Sequence, residues 1–230
     1  MGRLALSTGT GTRGSEPAGK RIEVETRSGT VSLFDAGSHL VLQRHGLDRY
    51  IPPHLIDHVA HFEALASLGC DRVLAVSSVG SLRRDLPIGS ALCPDDFIAL
   101  HLGLTSRDDE RGHAIARFDP EWRRDAIAAW SEPVADGGTY WQAIGPRLET
   151  PAEIRMVAAH ADVIGMTVAS ECIVAGEMGM AYAAVCTVDN LANGLDEEGR
   201  PLDVEELAGT VDAGRPALLA TIDSAVGELA

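Results

Sequence analysis

The chain has 230 residues, 45% of them apolar, and a formal net charge of −15. That composition fits one sizeable globular core and argues against a surface for nucleic acid or anionic membrane, because phosphate backbones and headgroups are held by basic patches. Its four cysteines stand far apart with no CxxC spacing, which indicates neither a zinc site nor a disulfide framework and suits reduced thiols in a cytoplasmic protein. No apolar run is long enough to cross a bilayer, and no basic-then-apolar leader is expected.

In chain order, Arg3 to Ser7 reads as a short strand that runs into the loop Ser7-Thr8-Gly9-Thr10-Gly11-Thr12, and Arg13 to Lys20 continues without a core pattern. Thr30 to Phe34 and Leu40 to Leu42 read as strands. Pro52-Pro53 opens a helix whose apolar face carries Leu55, Val59, Phe62, Leu65 and Leu68, and Gly69 ends it. Arg72 to Val76 is a buried strand followed by a turn of small polar residues, Ser77 to Ser81. Further strands are expected at Ala91 to Leu100, Tyr140 to Ile144, Val163 to Met166 and Tyr182 to Val188, with helices at Glu121 to Trp130, Ala152 to His160, Ala169 to Met180 and Val204 to Leu229. Thr105 to His113 and Asp196 to Arg200 are charged, glycine-containing loops, the usual place for binding or closing elements. The alternation of strands and helices predicts an α/β fold: a single layered domain over 1–230, with a central mixed β-sheet flanked by helices.

Two segments carry the chemistry of a substrate. Gly145 to Thr150 contributes Glu149, and Val188 to Asn190 contributes Asn190. Side by side in one pocket, a carboxylate that only accepts hydrogen bonds and an amide that both donates and accepts match a 6-oxopurine, with its N1–H donor and its O6 and N7 acceptors. Adenine has no N1–H, and an ionised Glu149 would face a lone pair.

The order of motifs resembles the purine nucleoside phosphorylase family, in particular the trimeric branch that includes methylthioadenosine phosphorylase. The resemblance rests on the Gly-Thr-Gly loop at Gly9 to Gly11, Arg44-His45-Gly46 with Pro52-Pro53-His54, Gly80-Ser81-Leu82, Gly145-Pro146-Arg147 and Gly165-Met166-Thr167, and it runs almost end to end. It implies a single nucleoside phosphorylase domain, with a purine nucleoside and inorganic phosphate as substrates, a homotrimer, and no metal or organic cofactor. It assigns Thr10, Arg44, His45, Ser77, Ser78 and Thr167 to phosphate, with His45 able to serve the sugar instead and Ser78 acting through its backbone. Val79, Gly80, Leu148, Glu149, Met166 and Asn190 fall to ribose and base.

Departures from the family pattern bear on specificity. Glu149 and Asn190 match the 6-oxopurine enzymes, and Ala192 replaces the second aspartate of the adenine-reading branch. Leu148 stands where the family stacks a phenylalanine, and Arg49 where it has a histidine. Asp189 replaces a threonine and is kept with Glu149 and Asn190 as a catalytic candidate, either as a proton donor to N7 or as a residue that orients Asn190. The stretch Leu202 to Leu207 lacks the histidine that meets a 5′-hydroxyl, so its apolar Leu202, Val204 and Leu207 lean toward a 5′-alkylthio group. His113 is a candidate to enter a neighbouring subunit's site. The expected activity is phosphorolysis of methylthioinosine, inosine or guanosine. The alternatives are a methylthioadenosine phosphorylase, a purine nucleosidase that uses water, and a silent nucleoside-binding protein.

Overall fold

A computed structural model describes residues 2–196 and 198–230. A mixed sheet of 11 strands runs through it, with helices on both faces. Its centre is β5 (Cys70–Ser81), which pairs in parallel with β1 (Arg3–Thr8) on one edge and with β11 (Ala181–Leu191) on the other. Beyond β1 lie β4 (His39–Gln43), then β3 (Gly29–Asp35), then β2 (Lys20–Thr26). The short strands β6 (Ala91–Cys93), β7 (Asp96–Ile98), β8 (Val134–Asp136), β9 (Thr139–Gln142) and β10 (Val163–Gly165) extend the other side.

Alternation along the strands fills two apolar layers, as the period of two requires. Ala5, Leu40, Leu42, Val73 and Ala75 face one core with Phe62 and Leu65 of α1 (His58–Ser67) and Cys172 of α4 (Val168–Glu177). Leu4, Leu6, Val41, Leu74 and Val76 face the other, with Trp122 of α2 (Pro120–Ala129) and Ile222 of α5 (Val204–Leu229). A third cluster gathers around Ile154 and Val157 of α3 (Pro151–Val157). Among the described residues no helix is long and apolar enough to cross a membrane.

The structure corrects several sequence boundaries. Ser77 to Ser81 is not a turn; it is the end of the long strand β5. The expected strand Ala91 to Leu100 is split into β6 and β7 around Pro94, which has no N–H to give a ladder. The helix after Pro52-Pro53 starts later: a 3₁₀ turn covers Pro53–Leu55, and Asp57 caps α1 by accepting from the Ala60 N–H at 2.8 Å, so Leu55 lies off the helix and is 63% exposed. β2 falls mostly in a stretch to which the sequence reading gave no element, and its Ile22 and Val24 alternate inward between charged neighbours. The loop expected at Asp196 to Arg200 contains Glu197, which lies outside the described residues.

What positions the site is a gap in the sheet. β1 leaves β5 after Val76, and β10 joins the same chain of strands, antiparallel, only at Gly80. Ser77, Ser78 and Val79 therefore border an opening between diverging strands, the kind of crevice in which α/β sheets bind ligands.

Candidate active site

A cavity of about 700 Å³ fills this opening. Thr10, Arg44, His45, Ser77, Ser78 and Thr167 line it, as do Val79, Gly80, Leu148, Glu149, Met166 and Asn190. The residues assigned from the sequence are thus brought together, with one exception: Asp189 is not among the lining residues.

Arg44 is the most constrained of them, at 1% exposure. Its Nε donates to Glu171 Oε1 at 2.7 Å, its Nη1 to the Val76 carbonyl at 2.9 Å, and its Nη2 to the Ser7 carbonyl at 3.0 Å. Glu171, in the first turn of α4 and fully buried, also accepts from Ser7 Oγ and Tyr182 Oη, each at 2.8 Å. Burial alone would raise the Glu171 pKa, but the Arg44 charge and its hydrogen bonds outweigh it and hold the carboxyl below its ordinary range. A Cβ at Gly9 would collide with Arg44 Nη1, so the glycine loop and the guanidinium touch closely. Glu171 was missed from the sequence, although a lone acid in the apolar run Val168 to Ala175 was a visible signal.

Strand geometry aims a donor at the same place. The Val76 carbonyl faces Arg44, and with a period of two the Ser78 N–H points to that edge, which has no partner strand until Gly80. Thr167 precedes α4 as its N-cap without spending its side chain there, so its hydroxyl and the positive end of the helix dipole border the cavity. Thr10 sits in the 3₁₀ turn Thr10–Thr12, next to α5.

His45 shows which side it can serve. Its Nδ1 lies 2.9 Å from the Ile51 carbonyl, which only accepts, so Nδ1 carries the proton. Burial, with the Arg44 charge also working against protonation, pushes its pKa down to about 4 and keeps the ring neutral. Nε2 is then an acceptor, suited to a sugar hydroxyl or a protonated phosphate oxygen and not to a bare anionic oxygen. Tyr50 stacks on the ring at 5.2 Å, and Arg13 lies over Tyr50 at 4.4 Å. The Arg44-His45 segment turns sharply at Gly46, whose φ of 82° and nearby Arg49 carbonyl exclude a side chain.

At the other end, Glu149 is half-buried, and among the described residues its carboxylate is met only by its own backbone N–H. Burial raises its pKa. Asn190 Nδ2 donates to the Leu191 carbonyl at 2.8 Å, which leaves its amide oxygen and second N–H for a ligand. A Cβ on Gly80 would lie 3.2 Å from Asn190 Nδ2, so the glycine makes room for the amide. Asn193, missed from the sequence, ties the two loops of this end: its Nδ2 donates to the Glu149 carbonyl at 2.8 Å and its Oδ1 accepts from the Leu202 N–H at 2.9 Å.

α5 forms the remaining wall. Leu202, Val204 and Leu207 line the cavity as the sequence suggested, joined by Ala208 and Val211 and then by Asp212 and Arg215. Arg49 and His113 are exposed and do not line it. The Thr105 to His113 loop is held to Glu177 at the end of α4, through Thr105 Oγ1 and Ser106 Oγ, each at 2.7 Å. Among the described residues no group of three or more His, Cys, Asp or Glu side chains is placed to hold a metal ion.

The sequence model of the phosphorylase superfamily matches residues 3–226. The chain belongs to this superfamily. It is 37% identical over 88% of its length to a protein of Archaeoglobus fulgidus named a probable 6-oxopurine nucleoside phosphorylase, 86% of which is covered. It is 33% identical over 93% of its length to a probable S-methyl-5′-thioinosine phosphorylase of Methanothermobacter thermautotrophicus, 78% of which is covered. Its fold matches that of methylthioadenosine phosphorylase from Schistosoma mansoni, solved with adenine, with a TM-score of 0.81 over 99% of this chain and 91% of that one, at 22% identity.

Proposed function

We propose that this phosphorylase cleaves 6-oxopurine nucleosides with inorganic phosphate, releasing the free purine and a ribose 1-phosphate. The observation that carries the reading is that Glu149 and Asn190 line one cavity together with Arg44, Ser78 and Thr167. Phosphate attacks the anomeric carbon from the face opposite the base, so the protein has to cradle an anion, hold the sugar between, and stabilise charge on the departing purine. Arg44, Thr10, Thr167 and the backbone of Ser77 and Ser78 serve the anion. Met166 and His45 serve the ribose. Glu149 accepts from N1–H while Asn190 donates to N7 or O6, so negative charge growing on the ring during bond cleavage is met by a donor.

The apolar run Leu202, Val204, Leu207, Ala208 and Val211 supports methylthioinosine ahead of inosine or guanosine, because a 5′-hydroxyl would find no polar partner along it. The names of the relatives from Archaeoglobus and Methanothermobacter support the same base class. The enzyme takes phosphate as co-substrate without a metal or organic cofactor, and works in the cytoplasm as a homotrimer of single-domain subunits. Ile115 and Leu100, at 92% and 84% exposure, support burial against a neighbouring subunit.

The test is purine release from methylthioinosine, inosine, guanosine, methylthioadenosine and adenosine, each with and without phosphate. The 6-oxo substrates should turn over only with phosphate and faster than their 6-amino counterparts. Turnover without phosphate would make the enzyme a nucleosidase, and preference for the 6-amino pair would overturn the role given to Glu149 and Asn190.

A further inference from the structure

β5 and β11 run in register up to Val79 opposite Val188, and then the register slips so that Asn190 pairs with Gly80. Asp189 is the extra residue of a β-bulge. Without it, residue 189 would face Gly80 and Asn190 would move on to Ser81, on the opposite face of the sheet. The bulge therefore sets the side on which the Asn190 amide emerges, and the close approach of Asn190 Nδ2 to Gly80 records the result.

A bulge needs something to hold it, and aspartate is a poor strand residue. The Asp189 carboxyl reaches back across the strand pair to Ser78 Oγ. It is half-buried, and among the described residues it has no ion-pair partner, makes no hydrogen bond to the Asn190 amide and does not line the cavity. Ser78 is the residue whose backbone N–H faces the anion end. One side-chain pair thus joins β5, at the residue proposed to meet the anion, to the bulge that carries Asn190.

We propose that the Asp189–Ser78 pair is a positioning clamp for base discrimination: it pins the bulge, and through it the orientation of Asn190 toward a 6-oxopurine. Asp189 is then a positioning residue and neither a proton donor to the purine nor a direct support of the Asn190 amide. The inference rests on the role proposed for Asn190. Burial raises the Asp189 pKa, but the contact survives either protonation state, since a carboxylate accepts from the serine hydroxyl and a carboxylic acid can donate to it.

The experiment compares Asp189→Ala, Asp189→Asn, Ser78→Ala and the Asp189→Ala/Ser78→Ala double variant. It reads the ratio of kcat/KM for inosine over adenosine with saturating phosphate, the phosphate KM, the melting temperature, and calorimetric dissociation constants for hypoxanthine and adenine. Either alanine variant should move the base ratio roughly tenfold and the double variant no further, because both remove the same bond. Asp189→Asn keeps a hydrogen-bond partner for Ser78 and should recover most of the ratio. A purely structural role would lower the melting temperature and leave the ratio alone. An unchanged ratio in Ser78→Ala, which loses only a hydroxyl and is the variant surest to fold, would overturn the clamp, and so would singles whose effects multiply in the double. Which base the wild type prefers decides the proposed function. The shift on substitution decides the clamp, and the hypoxanthine and adenine affinities report it even in the absence of turnover.

Discussion

Glu171 has four donors on its two oxygens: Arg44 Nε and Nη2, Ser7 Oγ and Tyr182 Oη. A buried charge pair is a weak source of net stability, but removing one partner strands the other, at a cost of about 3–5 kcal/mol. Glu171→Gln keeps the shape and withdraws the charge that holds Arg44. It should destabilise the fold by roughly that amount and raise the phosphate KM much more than the nucleoside KM, as steady-state kinetics and denaturant melts can establish. Equal rises in both constants would mean that Arg44 does not serve the anion. Glu149 poses the opposite case, a half-buried carboxylate whose pKa burial raises. Its ionised form is the stronger acceptor from N1–H, so kcat/KM for a 6-oxopurine nucleoside should fall as pH drops through that raised pKa. Glu149→Gln should be less active at neutral pH and lack that limb. The difference between the two profiles removes the ionisation of phosphate, which is common to both, and identical acid limbs would exclude Glu149 from the base contact.

At the scale of elements, α5 is the part of the site that differs most in kind from the rest, a helix face in place of loops and strand ends. Its positions 204, 207, 208 and 211 follow the helical period and present an apolar stripe to the cavity. Leu207→Ser should lower kcat/KM for methylthioinosine by roughly tenfold relative to inosine, since a lost apolar contact of this size is worth about 1–3 kcal/mol; a constant ratio would place the 5′ group elsewhere. The sequence offered Val204 and Leu207 of this stripe, through the family resemblance, but not Ala208 and Val211. β1, β4 and the first half of β5, whose runs are buried on both faces, were legible. The second half of β5 read as a turn because Ser77, Ser78 and Gly80 are small and polar, which is what a strand bordering a ligand needs and what a loop also looks like. What Glu171 and Asn193 do was illegible for a different reason. Each acts through partners far away in sequence, Arg44 at one and the Glu149 loop at the other, and spacing carries no trace of such contacts. Asp189 was noticed as a departure, but the bulge that gives it a role exists only in the pairing of two strands.

Across the whole molecule, stability against pH sets surface charge against buried histidines. The net charge of −15 repels itself, and acid relieves that repulsion, which favours the fold as pH falls. Between pH 7.5 and 5, however, most carboxylates stay ionised, and exposed charges are screened within about 8 Å at physiological salt, so the relief is small. His58 and His61 act the other way. They are buried at 5% and 9% exposure, and the Nδ1 of each has no partner among the described residues. Burial, partly opposed by the charge of Glu171, pushes the pKa of His58 down to about 3 and lowers that of His61. In the unfolded chain both protonate near the ordinary value of about 6.5. Below that pH the unfolded state binds more protons than the native state, so stability falls with pH from about 6.5 toward the native pKa. From pH 7.5 to 5, His58 alone should remove roughly 2 kcal/mol, more than charge relief restores, and added salt should leave the loss in place. Urea denaturation at the two pH values, with and without 0.5 M salt as roughly full screening, measures it. His58→Phe, which cannot take up a proton in either state, should recover about that share of the difference. A wild-type midpoint that stays level or rises on going to pH 5 would show that the surface charge, and not the buried ring, governs the acid side of the stability curve.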